Sequence, residues 1–268
     1  MEYLGSLGRL VPLRCASVER VQAAARYVPS VTVEGRRRVQ VIPASPRTWD
    51  LSWGLADPSE LAALSGFVSG AWGAGPFHWV PVQAWKHNLL TPREAMLVDH
   101  VPSSFWTTGG PVVAVDGTLA PRSVIFSLEG SWRSIFVDIP CIPGTPVTWS
   151  ADISGDGSLK PSLMAVCADA AGDQIGSATE VFADEYDGLQ RVSVTITPPP
   201  DAVSFRAGIS FRVKRLTRPQ VTWTDGPVPY SPGYGCRAAV LDGMSDDLIA
   251  ANSFGTWSSA QFTVMEVG

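Results

Sequence analysis

Groups able to hold a metal ion are scarce. Cys15, Cys141, Cys167 and Cys236 form no CxxC pair, and His78, His87 and His100 share no ligand spacing. Neither a zinc site nor a disulfide framework is indicated, and buried free thiols are the expectation. There is no Gly-x-Ser-x-Gly elbow, phosphate loop or dinucleotide fingerprint, so no cofactor is expected. No apolar run approaches the roughly 20 residues of a membrane span. The start, MEYLGSLGRL, has neither the basic head nor the long apolar centre of a signal peptide, so the expectation is a soluble protein made in a cytoplasm.

Charge is also thin, at 17% of residues, and the net value of -5 is unevenly placed. Residues 1 to 88 hold nine Lys/Arg against six Asp/Glu, residues 229 to 268 one against four, and residues 89 to 228 ten against fifteen. The whole deficit lies in the middle. An acidic middle argues against nucleic acid or an anionic membrane as its partner, because both need a basic face.

What is abundant is turn chemistry, with 25 Gly and 22 Pro spread along 268 residues that are 45% hydrophobic. That pattern predicts many short strands and a mainly β fold. The clearest stretch is Arg47 to Val80, where Trp49, Leu51 and Trp53 alternate with polar residues. Asp57 is placed to N-cap a helix with Pro58 at its first position and Glu60 at its third. Leu61, Leu64, Phe67 and Val68 give that helix one apolar stripe, Gly70, Gly73 and Gly75 end it, and Phe77 and Trp79 begin a returning strand. Before this unit, strands are expected around Leu10 to Cys15, from Val18 to Val33 and from Arg36 to Ile42. The last is an edge or inter-subunit strand in which Arg36, Arg37, Arg38 and Gln40 are interface candidates. The arginine run also fits a polyanion site, or simply an edge guarded by charge.

From Val112 the text becomes a series of β segments at sandwich or jelly-roll spacing. The tail after Gly235 reads as two strands around a short helical piece near Ser245 to Ala251. It is too small to bury a core alone. The expected organisation is therefore one split domain, residues 1 to 88 and 229 to 268, made of a β-barrel or sandwich with one packed helix. A β-sandwich, residues 89 to 228, is inserted into it.

Acids in the middle, among them Asp138, Asp152, Asp156, Asp169 and Asp173, lie mostly beside Gly or Ser in expected turns, so no catalytic pair is assigned. Asp184, Glu185 and Asp187 fit either a solvated loop or a calcium site closed by other loops. Trp49, Trp53, Trp79 and Trp149 fall on apolar faces of strands and read as core. Trp132 is out of phase with Ile135, Val137 and Ile139, which leaves it either as a platform for a sugar ring, with Arg133 and Asp138 nearby, or as a cover on a sandwich edge. Trp106 and Trp223 are further glycan-contact candidates.

The strand RTWDLSW, the helix after it, GAWGAGPFHWV, NLL, and the return SPGYGC with FTVMEVG resemble minor tail proteins of long-tailed actinobacterial phages, and more loosely the distal tail family. The resemblance implies a split β-barrel that assembles into a hexameric ring at the tail tip, next to tail-tube and tail-tip proteins in the virion, with an inserted sandwich facing outward. PGTPVTWSADI and RVSVTITPPPDAVSFRAGI resemble a jelly-roll carbohydrate-binding module, which implies a host cell-wall glycan as partner. A glycan-binding module with no ring role is the competing expectation. A simple module has no need of the capped helix or of the distant C-terminal return.

Overall fold

The computed structural model describes residues 1–23, 27–31, 37–41, 46–56, 58–97, 112–116, 123–126, 133–155, 160–181, 188–210, 212–252 and 255–267. In chain order the elements are β1 (Glu2–Ser6), β2 (Arg9–Leu13), β3 (Val18–Ala23), β4 (Tyr27–Val31), β5 (Arg37–Val41), β6 (Arg47–Ala56), α1 (Pro58–Val68), β7 (Phe77–Val80), α2 (Val82–His87) and α3 (Pro92–Ala95). They continue with β8 (Val112–Asp116), β9 (Ser123–Phe126), β10 (Arg133–Pro140), β11 (Val147–Ser154), β12 (Ser162–Ala168), β13 (Gln174–Val181), β14 (Gln190–Ile196), β15 (Ser204–Ile209), β16 (Arg215–Thr222), β17 (Cys236–Asn252) and β18 (Gly255–Glu266). The fold is mainly β, in several antiparallel sheets. Two compact units divide the chain. The first holds Met1–Gly5, Val11–Trp79 and Arg237–Gly268, and the second holds Ser6–Leu10 and Val80–Cys236.

The first unit is built on a seven-stranded sheet in the order β2-β1-β7-β17-β18-β6-β3, with β4 and β5 paired apart from it. The alternation in RTWDLSW does what its period requires: Trp49, Leu51 and Trp53 are buried, and Trp53 stacks on Phe262 of β18 at 4.9 Å. Arg47 clamps Glu266 through two 2.9 Å hydrogen bonds and lies over the Trp49 ring, which fixes the register of β6 against β18. On α1 only Leu64 and Phe67 are buried, while Val68 is 46% exposed. Trp72 covers the helix instead. Its indole N–H donates to the Ala63 carbonyl, and it lies so close over Gly66 that a Cβ there would stand 2.2 Å from Nε1. Glu60 accepts from the Arg14 backbone N–H and pairs with the Arg14 guanidinium, and Asp57 lies outside the described residues.

β1 and β2 form a hairpin around Gly8 at φ 73°. The stretch from Val18 to Val33 holds β3 and β4. One expectation needs correction here. The segment Ser245 to Ala251 is extended, not helical: β17 pairs with β18 from Ala239 to Asn252, passing two register shifts. A ladder with a strand beside it satisfies every backbone group that a single helical turn would leave open.

The second unit is a sandwich of a four-stranded sheet, β10-β15-β12-β13, and a five-stranded sheet, β14-β11-β16-β9-β8. Trp149 of β11 sits at its centre, fully buried, edge-on to Phe136, with its indole N–H donated to the Gly208 carbonyl. The segments flanking the sandwich, from Val80 and up to Cys236, pack with it. Leu89 donates to the Val221 carbonyl and Trp223 to that of Trp85. Gly233 and Gly235 run so close to Leu90 and Leu89 that a Cβ on either would stand within 2.3 Å of a carbonyl oxygen.

Two outcomes follow from the first unit. Its strands β7 and β17, from which the second unit departs and to which it returns, lie side by side in the sheet. Replacing residues 81 to 235 by a short Gly/Ser linker should leave a protein that unfolds cooperatively on heating, and a non-cooperative melt would refute this. Glu2 is 1% exposed, and burial, helped by the charge of Glu19, pushes its carboxyl up to about 7. Its folded form holds the proton more tightly than the unfolded chain. Stability is therefore full below pH 4.5 and is lost as pH rises through 7, by on the order of 3 kcal/mol. Urea titrations at pH 5 and pH 8 should show that loss, and Glu2→Gln should abolish it.

Candidate functional site

Trp106 and Trp132 lie outside the described residues. Arg133 opens β10 opposite Ile209, and Asp138 is exposed further along the strand, at φ 52°, within a register shift between Phe136 and Ile139. Trp223 is removed from the candidates: it is 5% exposed, and its indole N–H donates to the Pro140 carbonyl at 3.1 Å. The reason is its phase, since it stands two residues after the buried Val221. Arg37, Arg38 and Gln40 lie on β5, paired with β4, while Arg36, Asp184, Glu185 and Asp187 lie outside the described residues.

What the sandwich does present is a groove of about 630 Å³ at one end. Its walls are the turns at Cys141–Pro143, Asp169–Ala171 and Pro200–Val203, with Gly8 closing one side. Asp169 holds its turn rigid, its Oδ1 accepting from the N–H groups of Ala171 and Asp173 at 2.9 Å each. The neighbouring turns are joined by hydrogen bonds from Val203 to the Ala168 carbonyl and from Gly144 to that of Pro198. Asp201 and the second oxygen of Asp169 thus stand beside an apolar floor of Ile142 and Pro143. Such a groove can accept hydrogen bonds from hydroxyl or ammonium donors. The Cys141 and Cys167 thiols, pushed up to about 12 and about 11 by burial, are inert. They flank β15 on β12 and at the end of β10, so about 9–10 Å of sheet separates them, too far for a disulfide.

A second polar cluster lies on the face of β11 away from Trp149. Thr148, Ser150, Asp152 and Ser154 are all buried, so this strand is buried on both sides. Asp152 is 2% exposed, paired with Arg191 from β14 and with Arg218, whose φ of 50° accompanies a bulge in β16. Arg191 also donates to Ser150 and lies over the Tyr230 ring at 5.8 Å. Burial lowers the Arg191 guanidinium below its ordinary value, and the Asp152 charge opposes that. Gln220 reaches from β16 to the His87 and Pro229 carbonyls. Every oxygen of this carboxylate is taken by arginine, which suits it to holding chain segments together and not to moving protons.

No protein-family model matches the chain, and no curated protein does. Among solved structures it is similar to the enzymatically active domain of tailspike protein 4 from Bacteriophage CBA120. The identity there is 14% over 50% of this chain and 21% of that one, at a TM-score of 0.36, so this chain spans about a fifth of that length. It is similar, at 13% identity and a TM-score of 0.33, to a structure described by the words "CBM4 structure and function", covering 46% of this chain and 83% of that one. A structure from work on the promiscuous specificity of carbohydrate-binding modules of the β-sandwich superfamily is similar at 11% identity and a TM-score of 0.34, over 77% of this chain and 92% of that one.

Proposed function

We propose that the chain is a structural, non-enzymatic protein of a phage tail tip, in which the first unit forms a closed ring and the sandwich faces outward to contact host-surface glycan. The observation that supports this most is the topology of the first unit. Segments from before and after the sandwich supply neighbouring strands of one sheet, β7 beside β17 and β6 beside β18, and among the described residues β2 and β3 are its outermost strands. Open edges of that kind are commonly closed by a neighbouring copy. Asp152 and Asp169 are engaged in ion pairs and turn hydrogen bonds, which favours a binding role over a hydrolytic one.

The proposed glycan contact is Trp132 with Arg133 and Asp138, and the acidic balance of residues 89 to 228 suits a neutral or weakly basic sugar. Trp132→Ala should weaken binding to host cell-wall glycan by about tenfold or more, a scale of ~1–3 kcal/mol borrowed from bases stacked on aromatics. Its thermal midpoint should stay unchanged. Full binding by Trp132→Ala together with loss in Asp201→Ala would move the contact to the groove at the sandwich end. Electron microscopy of intact particles tests the ring, and a single-copy position in the particle would overturn it.

A further inference from the structure

The polar side of the seven-stranded sheet carries a hollow of about 530 Å³. Asp50 and Ser52 of β6 line it, with Thr263 and Gln261 of β18 opposite them and Asp242 and Ser245 of β17 beyond. The hollow follows from a bulge: the pairing of β17 with β18 slips between Asp242 and Met244, where Gly243 takes φ 64°. Asp50 is held in place by hydrogen bonds from Thr263 and Gln22, while Asp242 is exposed, as is Asp247, which follows Ser245 by two residues on the same side of the strand. In the register of β3 on β6, Arg20 is the partner of Asp50. The hollow is concave and carries hydroxyls and carboxylates in its lining.

The same unit holds a segment of the opposite kind. β4 and β5 form a two-stranded sheet of their own, in the register Ser30 with Arg38 and Val31 with Arg37. A two-stranded hairpin alone in water is marginal and needs a surface to lie on. Between residues 27 and 41 the chain carries Arg36, Arg37 and Arg38 against a single carboxylate, Glu34.

We propose that the β4–β5 hairpin of one copy docks in the acidic hollow between β6 and β17 of the next copy. This inference rests on the ring reading above and supplies its contact. Hairpin and hollow are different surfaces, so the contact is head-to-tail, the kind that closes into a ring when the rotation allows. Its charge makes it selective for orientation and sensitive to salt.

The test is a charge swap in the full chain, with oligomer mass read by light scattering at about 100 μM and low salt. A hollow variant, Asp242→Lys with Ser245→Lys, and a hairpin variant, Arg37→Glu with Arg38→Glu, change only exposed or hairpin positions. Melting curves confirm that each folds. Each alone should be monomeric, while an equimolar mixture should regain the wild-type oligomer, since every hairpin then meets a hollow of opposite sign. Recovery on mixing excludes a hairpin folded onto its own chain. Oligomers that persist in both single variants overturn the contact and leave the ring standing, and folded variants that fail to recover on mixing overturn it equally. A wild-type chain that stays monomeric overturns the contact too, and the ring is then decided separately by its copy number in particles.

Discussion

The second unit depends on a carboxylate that water cannot reach. Asp152 projects from the middle of a strand whose two faces are both covered, and an unpaired charge there would cost several kcal/mol. Two arginines meet it, one from the adjacent strand β14 and one re-aimed by the bulge in β16. Once they are in place, the remaining groups of that face need partners as well. Gln220 finds the carbonyls of His87 and Pro229, and the fully buried Asn88 donates to Pro219 and Ser231 while accepting from Leu90 and Val221. The incoming and outgoing segments of the unit are thereby tied across the sheet. Breaking a buried pair by removing one partner typically costs about 3–5 kcal/mol, and the flanking segments form a strap over that face through Asn88 and Gln220.

That strap decides which surfaces of the sandwich remain for a ligand. The polar face of the five-stranded sheet is taken by the protein's own chain, and Tyr230, an aromatic ring beside two arginines, is occupied by its contact with Arg191 and its hydrogen bond to the Ala95 carbonyl. The loops at the ends and the outer face of the four-stranded sheet are left. On that face Met164, Arg206, Ser177 and Thr179 follow one another across β15, β12 and β13. Among the described residues this face offers hydrogen bonds without a stacking ring.

Much of the fold was legible because period-2 alternation is a strong signal where one face is apolar. The sequences RTWDLSW and PVTWSADI are strands with their tryptophans inside, and the glycines after α1 take positive φ at 70, 73 and 75. The failures share a cause. Asp152 is grouped with the turn acids by residue type alone, although the alternation of Trp149, Ala151 and Ile153 places it on a strand. What alternation does not reveal is that its own face would also be covered by segments more than sixty residues away. Trp223 was legible from its phase with Val221. The capping box of Thr91 and Glu94 that starts α3 was present in the text TPRE, hidden within a stretch that looked merely turn-rich. The tail DDLIAAN reads as helix locally, and only the neighbouring strand makes it extended.

The same reasoning explains how a chain can interrupt one sheet with a whole sandwich. An insertion is tolerated where its two ends leave from positions already close together, since loop closure then costs little and grows only slowly with length. β7 and β17 are sheet neighbours, so their ends meet this condition. The insert in turn must fold with its own ends held, which is what Asn88, Gln220 and the close run of Gly233 and Gly235 past Leu89 and Leu90 accomplish. Each unit thus carries the constraint that the other needs. Turns at the end of the sandwich can therefore change without disturbing its core.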